Sequence, residues 1–125
     1  FWWQGDKDRG RAEWYDRYEV NLLTLIAALR KDFDAPDAKF VCATLGQTDK
    51  DSATGGEKKL IDAMLAISDP EQHPELKGRA ATVYAHPLSK GGASNSHYNG
   101  NAETYMNVGE AMGKAMVRLL KPAQD

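Results

Sequence analysis

Two rhythms of hydrophobic and polar residues alternate along the chain. Phe1-Trp2-Trp3, Phe40-Val41-Cys42-Ala43-Thr44-Leu45 and Ala81-Thr82-Val83-Tyr84-Ala85 are short apolar runs of strand length. The middle run is apolar on both faces, as a central strand of a parallel sheet is. Between these runs the apolar residues recur at steps of three and four. In 12–32, Tyr15, Tyr18, Leu22, Leu25, Ile26 and Leu29 fall on one helical face, and Arg30 and Lys31 suit the negative end of the helix dipole. Asp34-Ala35-Pro36-Asp37 stops that helix. A second stripe, Leu60, Ile61, Met64 and Leu65, predicts a helix over 57–68. A third, Tyr105, Val108, Met112, Met116 and Leu119, predicts one over 102–120, with Pro122 beyond its end.

Strand and helix thus alternate three times. This order predicts an α/β protein, a three-layer α/β/α arrangement on a parallel sheet of the flavodoxin-like kind. Such sheets have about five strands or more, whereas this pattern offers three. Phe1 stands where Met usually begins a chain, and the first residues already read as a buried strand. Residues 1–125 are therefore expected to be the C-terminal part of a single domain, its last three β-α units, with the N-terminal half elsewhere.

Composition adds exclusions. The chain has 125 residues, 42% hydrophobic and 27% charged, with a formal charge of -2 and the signs interspersed. That is no footprint for nucleic acid or for an anionic membrane surface. No apolar run approaches the ~20 residues that span a bilayer. Cys42 is the one cysteine, so no internal disulfide forms; its apolar setting predicts a buried, inert thiol.

In open parallel sheets, ligands bind beyond the carboxyl ends of the strands. Three loops qualify: Gln4-Gly5-Asp6-Lys7-Asp8, Gly46-Gln47-Thr48-Asp49, and the long polar loop 86–100. His73 belongs to a helix-to-strand connection at the other end and reads as a surface histidine. In the third loop, His97 sits just before the last helix, which Asn99 or Asn101 can cap, with Glu103 in its first turn. A helix N-terminus disfavours a charged imidazole and so suits a neutral general base; the plainer reading is a solvated loop histidine. His86 is the weaker candidate, expected to pack or hydrogen-bond behind the site. Ser89, Ser94 and Ser96 read as turn residues. The histidines and the cysteine lack metal-ligand spacing, the Gly55-Gly56 and Gly91-Gly92 pairs lack a phosphate-loop pattern, and no metal or cofactor is implied. Trp2 and Trp3 point to opposite faces of their strand, which leaves one of them free to line a sugar site.

These residues also carry a resemblance. Trp2-Trp3-Gln4-Gly5-Asp6-Lys7-Asp8 is similar to a Trp-x-Gln-Gly-Glu-x-Asp block, and Ser94-Asn95-Ser96-His97-Tyr98 to an Asp-x-x-His block before a final helix. In that order and spacing, nearly the whole chain resembles the C-terminal half of the sialate O-acetylesterase-like (SASA) domain of the SGNH hydrolases, close to planctomycete versions. The resemblance implies a serine esterase acting on an acetylated carbohydrate, and export from the cell would suit such a substrate. A serine would attack the acetyl ester, and His97 would take its proton and return it to the sugar oxygen. Gln4, with nearby backbone N–H groups such as that of Gly5, would form part of the oxyanion hole, a contribution of about 3–4 kcal/mol. Gln47 and Ser94 complete the oxyanion and substrate-binding candidates. Gln4 also has a purely structural reading, as an amide bonded at a strand end.

Two departures stand out. The family's nucleophile belongs to a block near the first strand, which has no counterpart here. Its orienting acid, three residues before the histidine, is replaced by Ser94, and a serine cannot stabilise an imidazolium as a carboxylate does. Either a Ser–His dyad operates or another acid stands in, with Asp6 the candidate. Two other readings compete with the esterase: a non-catalytic carbohydrate-binding remnant of the fold, and an interaction module whose open sheet edge pairs with another chain.

Overall fold

The computed structural model describes residues 1–91 and 97–121. Among these, the elements run α1 (Ala12–Tyr15), α2 (Tyr18–Asp32), β1 (Phe40–Ala43), α3 (Gly55–Ala66), β2 (Ala80–Val83) and α4 (Ala102–Leu120), joined by short 3-10 turns. β1 and β2 pair in parallel, from Phe40 opposite Ala80 to Ala43 opposite Val83. On the other edge of β1, Trp2 forms one parallel bridge to Cys42. Its N–H donates to the Val41 carbonyl and its carbonyl accepts from the Ala43 N–H, both at 2.9 Å.

The first apolar run is therefore paired at one residue rather than along 1–4. The chain turns away at Gly5, whose φ of +141° is one that side-chain-bearing residues avoid. A Cβ there would also lie 2.7 Å from Met64 Cε. The helix expected over 12–32 is likewise interrupted, at Asp16-Arg17. Tyr15 closes α1 against the first turn of α3, where a Cβ on Gly56 would overlap the tyrosine ring. Tyr18 then restarts the apolar stripe from the core side of α2. The spacing of 15, 18 and 22 runs through the break, so periodicity alone does not reveal it.

Side-chain alternation on β1 divides the core in two. Phe40 and Cys42 face α2 and α3, packing with Leu22, Ile26, Leu60, Ile61 and Met64, and Trp2 joins this side. Val41 and Ala43 face α4, with Val83, Val108, Met112 and Ala115, and Trp3 joins that side. The result is three layers: two helices, the parallel sheet, one helix. Leu60, Ile61, Met64 and Val108 have no exposed surface, and each such burial is worth about 1.5–3 kcal/mol. Cys42 is also fully buried, and burial pushes its thiol pKa up to about 12, which makes it inert as a nucleophile. No helix among the described residues is long and apolar enough to cross a membrane.

Candidate active site

The three loops at the carboxyl end of the sheet meet around one cleft of about 570 Å³. Gln4, Gly5 and Asp6 enter it from the first loop, Gln47 from the second and His97 from the third. Trp3, Arg9, Tyr98 and Tyr105 also line it. Five of the six residues singled out from sequence thus share one cleft; the sixth, Ser94, lies outside the described residues.

The floor is a polar network. Gln47 is 7% exposed. Its Nε2 donates to Asp6 Oδ1 at 3.1 Å, and Arg9 ion-pairs with the same oxygen at 3.2 Å. Arg9 also lies 3.6 Å from Glu57 in the first turn of α3, whose other carboxylate oxygen accepts from the Thr48 hydroxyl at 3.0 Å. One guanidinium thereby joins the first loop to the second and to a helix N-terminus. Gln47 Oε1 is buried without a partner among the described residues, a costly state in a protein interior. Gln4 lies at the rim. Its Nε2 donates to Asp8 Oδ2 at 2.5 Å and its backbone carbonyl accepts from the Tyr18 hydroxyl at 2.8 Å. One amide hydrogen of Gln4 is therefore committed to Asp8, and the other has no acceptor among the described residues. The Gly5 N–H has no backbone acceptor among the described residues.

His97 begins a run of three non-glycine residues with positive φ: His97 at 49°, Tyr98 at 56° and Asn99 at 54°. Each such residue costs about 1–3 kcal/mol, so the surroundings must hold the run in place. They do so from several sides. Tyr98 is buried and stacked on Trp3, with centroids 5.6 Å apart, and its hydroxyl accepts from the Gly46 N–H at 3.1 Å. Asn99 Nδ2 donates to the Gly91 carbonyl. The His97 carbonyl accepts from the Gly100 N–H at 3.0 Å and from the Tyr105 hydroxyl at 3.1 Å. Asn101, the expected alternative to Asn99, caps α4 by accepting from the Thr104 N–H at 2.8 Å. The buried Thr104 hydroxyl donates to the Lys90 carbonyl at 2.9 Å, which ties the loop to the helix.

The His97 side chain is left exposed at the mouth of the cleft. Among the described residues no side chain hydrogen-bonds its ring. Asp6 shares the cleft but bonds Gln47 and Arg9 instead. His86 stands behind the site, its Nδ1 donating to the Gly46 carbonyl at 3.0 Å. His73, in the connection from α3 to β2, is more than a surface histidine. Its side chain is 13% exposed and lies between Glu19 at 2.9 Å and Glu75 at 3.1 Å.

No serine lines the cleft among the described residues. Ser89 points away from chemistry, its hydroxyl donating to the Ala85 carbonyl at 2.8 Å. No group of three or more His, Cys, Asp or Glu is placed to hold a metal ion among the described residues. Sequence reasoning missed Arg9, Tyr98 and Tyr105. Arg9 carried no signal beyond a loop cation, and Tyr105 continues the core stripe of α4.

An α/β sheet with an imidazole, amide side chains and a backbone N–H gathered beyond its strand ends has the equipment of a hydrolase. The family can be stated more closely. Residues 1–118 match the family described as carbohydrate esterase, sialic acid-specific acetylesterase (SASA), and the chain belongs to that family. Neither a curated protein nor a solved structure matches the chain significantly.

Proposed function

We propose that His97 is the general base and acid of an O-acetyl-sugar esterase whose serine nucleophile lies in polypeptide preceding Phe1. The observation that carries this reading is the convergence of Gln4, Gly5, Asp6, Gln47 and His97, from three separate loops, on one cleft. Membership of a carbohydrate esterase family makes an acetylated carbohydrate the substrate class.

In this reading the serine Oγ attacks the acetyl carbonyl while its proton passes to His97. The oxyanion forms against the second N–H of the Gln4 amide and the Gly5 N–H. Collapse breaks the ester C–O bond, and His97 returns the proton to the departing sugar oxygen. Water then attacks the acyl-enzyme, its proton passing to His97; the acyl C–Oγ bond breaks, His97 returns the proton to the serine Oγ, and acetate leaves. Asp6 shares the cleft as the candidate orienting acid, but its Oδ1 is held by Gln47 and Arg9 and no bond joins it to the His97 ring among the described residues. Gln47 holds the substrate side of the floor. The second reading, a carbohydrate-binding domain without chemistry, draws on the absence of any carboxylate bonded to the His97 ring among the described residues.

The test is acetate release from an O-acetylated sugar by the full-length protein. His97→Ala should lower kcat/KM by about 10³-fold or more, and His86→Ala by under about tenfold. Wild-type rates in His97→Ala remove the assignment. Sugar binding without acetate release by the wild type favours the second reading.

A further inference from the structure

Tyr105 occupies a position that the core of α4 does not explain. It extends the stripe of Val108 and Met112, yet it is 42% exposed, whereas Val108 and Met112 are buried. The exposed part of its ring lines the cleft that holds His97.

The ring is fixed on its other sides. Trp3 packs against it at a tilt, with centroids 5.5 Å apart, and Tyr98 meets it edge to face at 6.1 Å. Its hydroxyl donates to the His97 carbonyl. A rigid aromatic surface, apolar in the middle and wet at its rim, is what the C–H face of a pyranose ring stacks on; binding there orders few additional bonds. Its attachment to the His97 backbone sets that surface at a fixed offset from the imidazole.

We infer that Tyr105 is the sugar-stacking platform of this site, a specificity-determining residue that seats the ring carrying the acetyl ester. The inference rests on the esterase reading for the acetyl group but not for the sugar contact. Its chemistry separates two classes of ester. An O-acetylated pyranose has a face to stack, whereas ethyl acetate has none.

The experiment compares wild-type full-length protein with Tyr105→Leu and Tyr105→Phe on an O-acetylated hexose and on ethyl acetate. Saturation-transfer NMR follows binding of the deacetylated hexose in parallel. Measured against Tyr105→Phe, which also lacks the hydroxyl bonded to the His97 carbonyl, Tyr105→Leu should lower kcat/KM for the sugar ester about 5–10-fold, mostly through KM, and should lower that for ethyl acetate by clearly less. Tyr105→Phe keeps the ring and should keep the wild-type ratio of the two substrates. Equal losses on both esters in Tyr105→Leu mean that the residue only supports His97, and overturn the proposal. An unchanged sugar KM also overturns it. Hexose binding that Tyr105→Leu abolishes, with no acetate release from either ester by the wild type, keeps the stacking site and removes the esterase reading. Neither binding nor release contradicts both.

Discussion

The strand-to-helix loops and the helix-to-strand connections are built from similar residues and treat them differently. Each has a histidine, an arginine paired with an aspartate, and a glycine at positive φ. In the helix-to-strand connections, these groups are matched to neighbours or left in open space. His73 lies between two glutamates, Arg79 holds Asp37 at 2.8 Å, and Gly78 turns the chain where an added Cβ would meet open space. In the strand-to-helix loops, His97 sits on strained backbone with its ring exposed, Gln47 keeps a buried oxygen without a partner among the described residues, and Gly5 is wedged against Met64. Among the described residues, three of the four non-glycine residues at positive φ, all but Asp34, belong to the loop that carries His97, and the unmet oxygen of Gln47 lines the same cleft; functional sites concentrate such features.

The glycines give the sharpest contrast. Gly5→Ala adds a Cβ at 2.7 Å from Met64 Cε to an unfavourable φ, and should cost about 3 kcal/mol. Gly78→Ala has φ +68° but open space, and should cost about 1 kcal/mol. Urea melts of both variants read the difference; equal costs would mean that the first loop yields freely.

The arginines come next. Arg9, 20% exposed, joins Asp6 and Glu57, so Arg9→Met should cost about 2 kcal/mol by leaving two half-buried carboxylates without their cation. Arg79→Met removes an ion pair in which both partners are exposed, and should cost about 0.5 kcal/mol. Thermal unfolding at high and low salt should show the Arg79 contribution screened and the Arg9 contribution retained. The same salt response in both would erase the distinction.

The smallest effect belongs to His73. Burial opposes its charge, but the bonds to Glu19 and Glu75 outweigh that, and its pKa is raised. A raised histidine pKa means that the folded state binds the proton more tightly than the unfolded state does. The stabilisation is therefore complete below the unfolded value of about 6.5 and fades as pH rises through the folded value. The Tm gap between wild type and His73→Gln should be larger at pH 5.5 than at pH 8.5. A gap independent of pH would contradict the ion-pair account.

Elements that rest on long periodic runs were legible in the residues. The stripe from Val108 to Leu119 and the cap at Asn101 gave α4 over 102–120 as observed. The opposite facing of Trp2 and Trp3 followed from strand alternation. Features that depend on tertiary partners were not legible. The break at Asp16-Arg17 follows from Tyr15 meeting Gly56, a contact 41 residues away along the chain. The site was readable as three loops, because topology alone says which strand ends converge. Its walls were not, since Tyr98 read as a loop residue, Tyr105 has the spacing of a core residue, and only the packed structure shows that both rings line the cleft. Arg9 acts through Glu57 in α3, and no local pattern links the two.

The central claim is that His97 serves a serine carried by the same protein, and fluorophosphonate labelling of the full-length polypeptide tests it most directly. Intact mass and peptide mapping should show one adduct, on a serine in a peptide preceding Phe1, formed much more slowly in His97→Ala. No adduct on folded protein, or an adduct whose rate is indifferent to His97→Ala, would contradict the account.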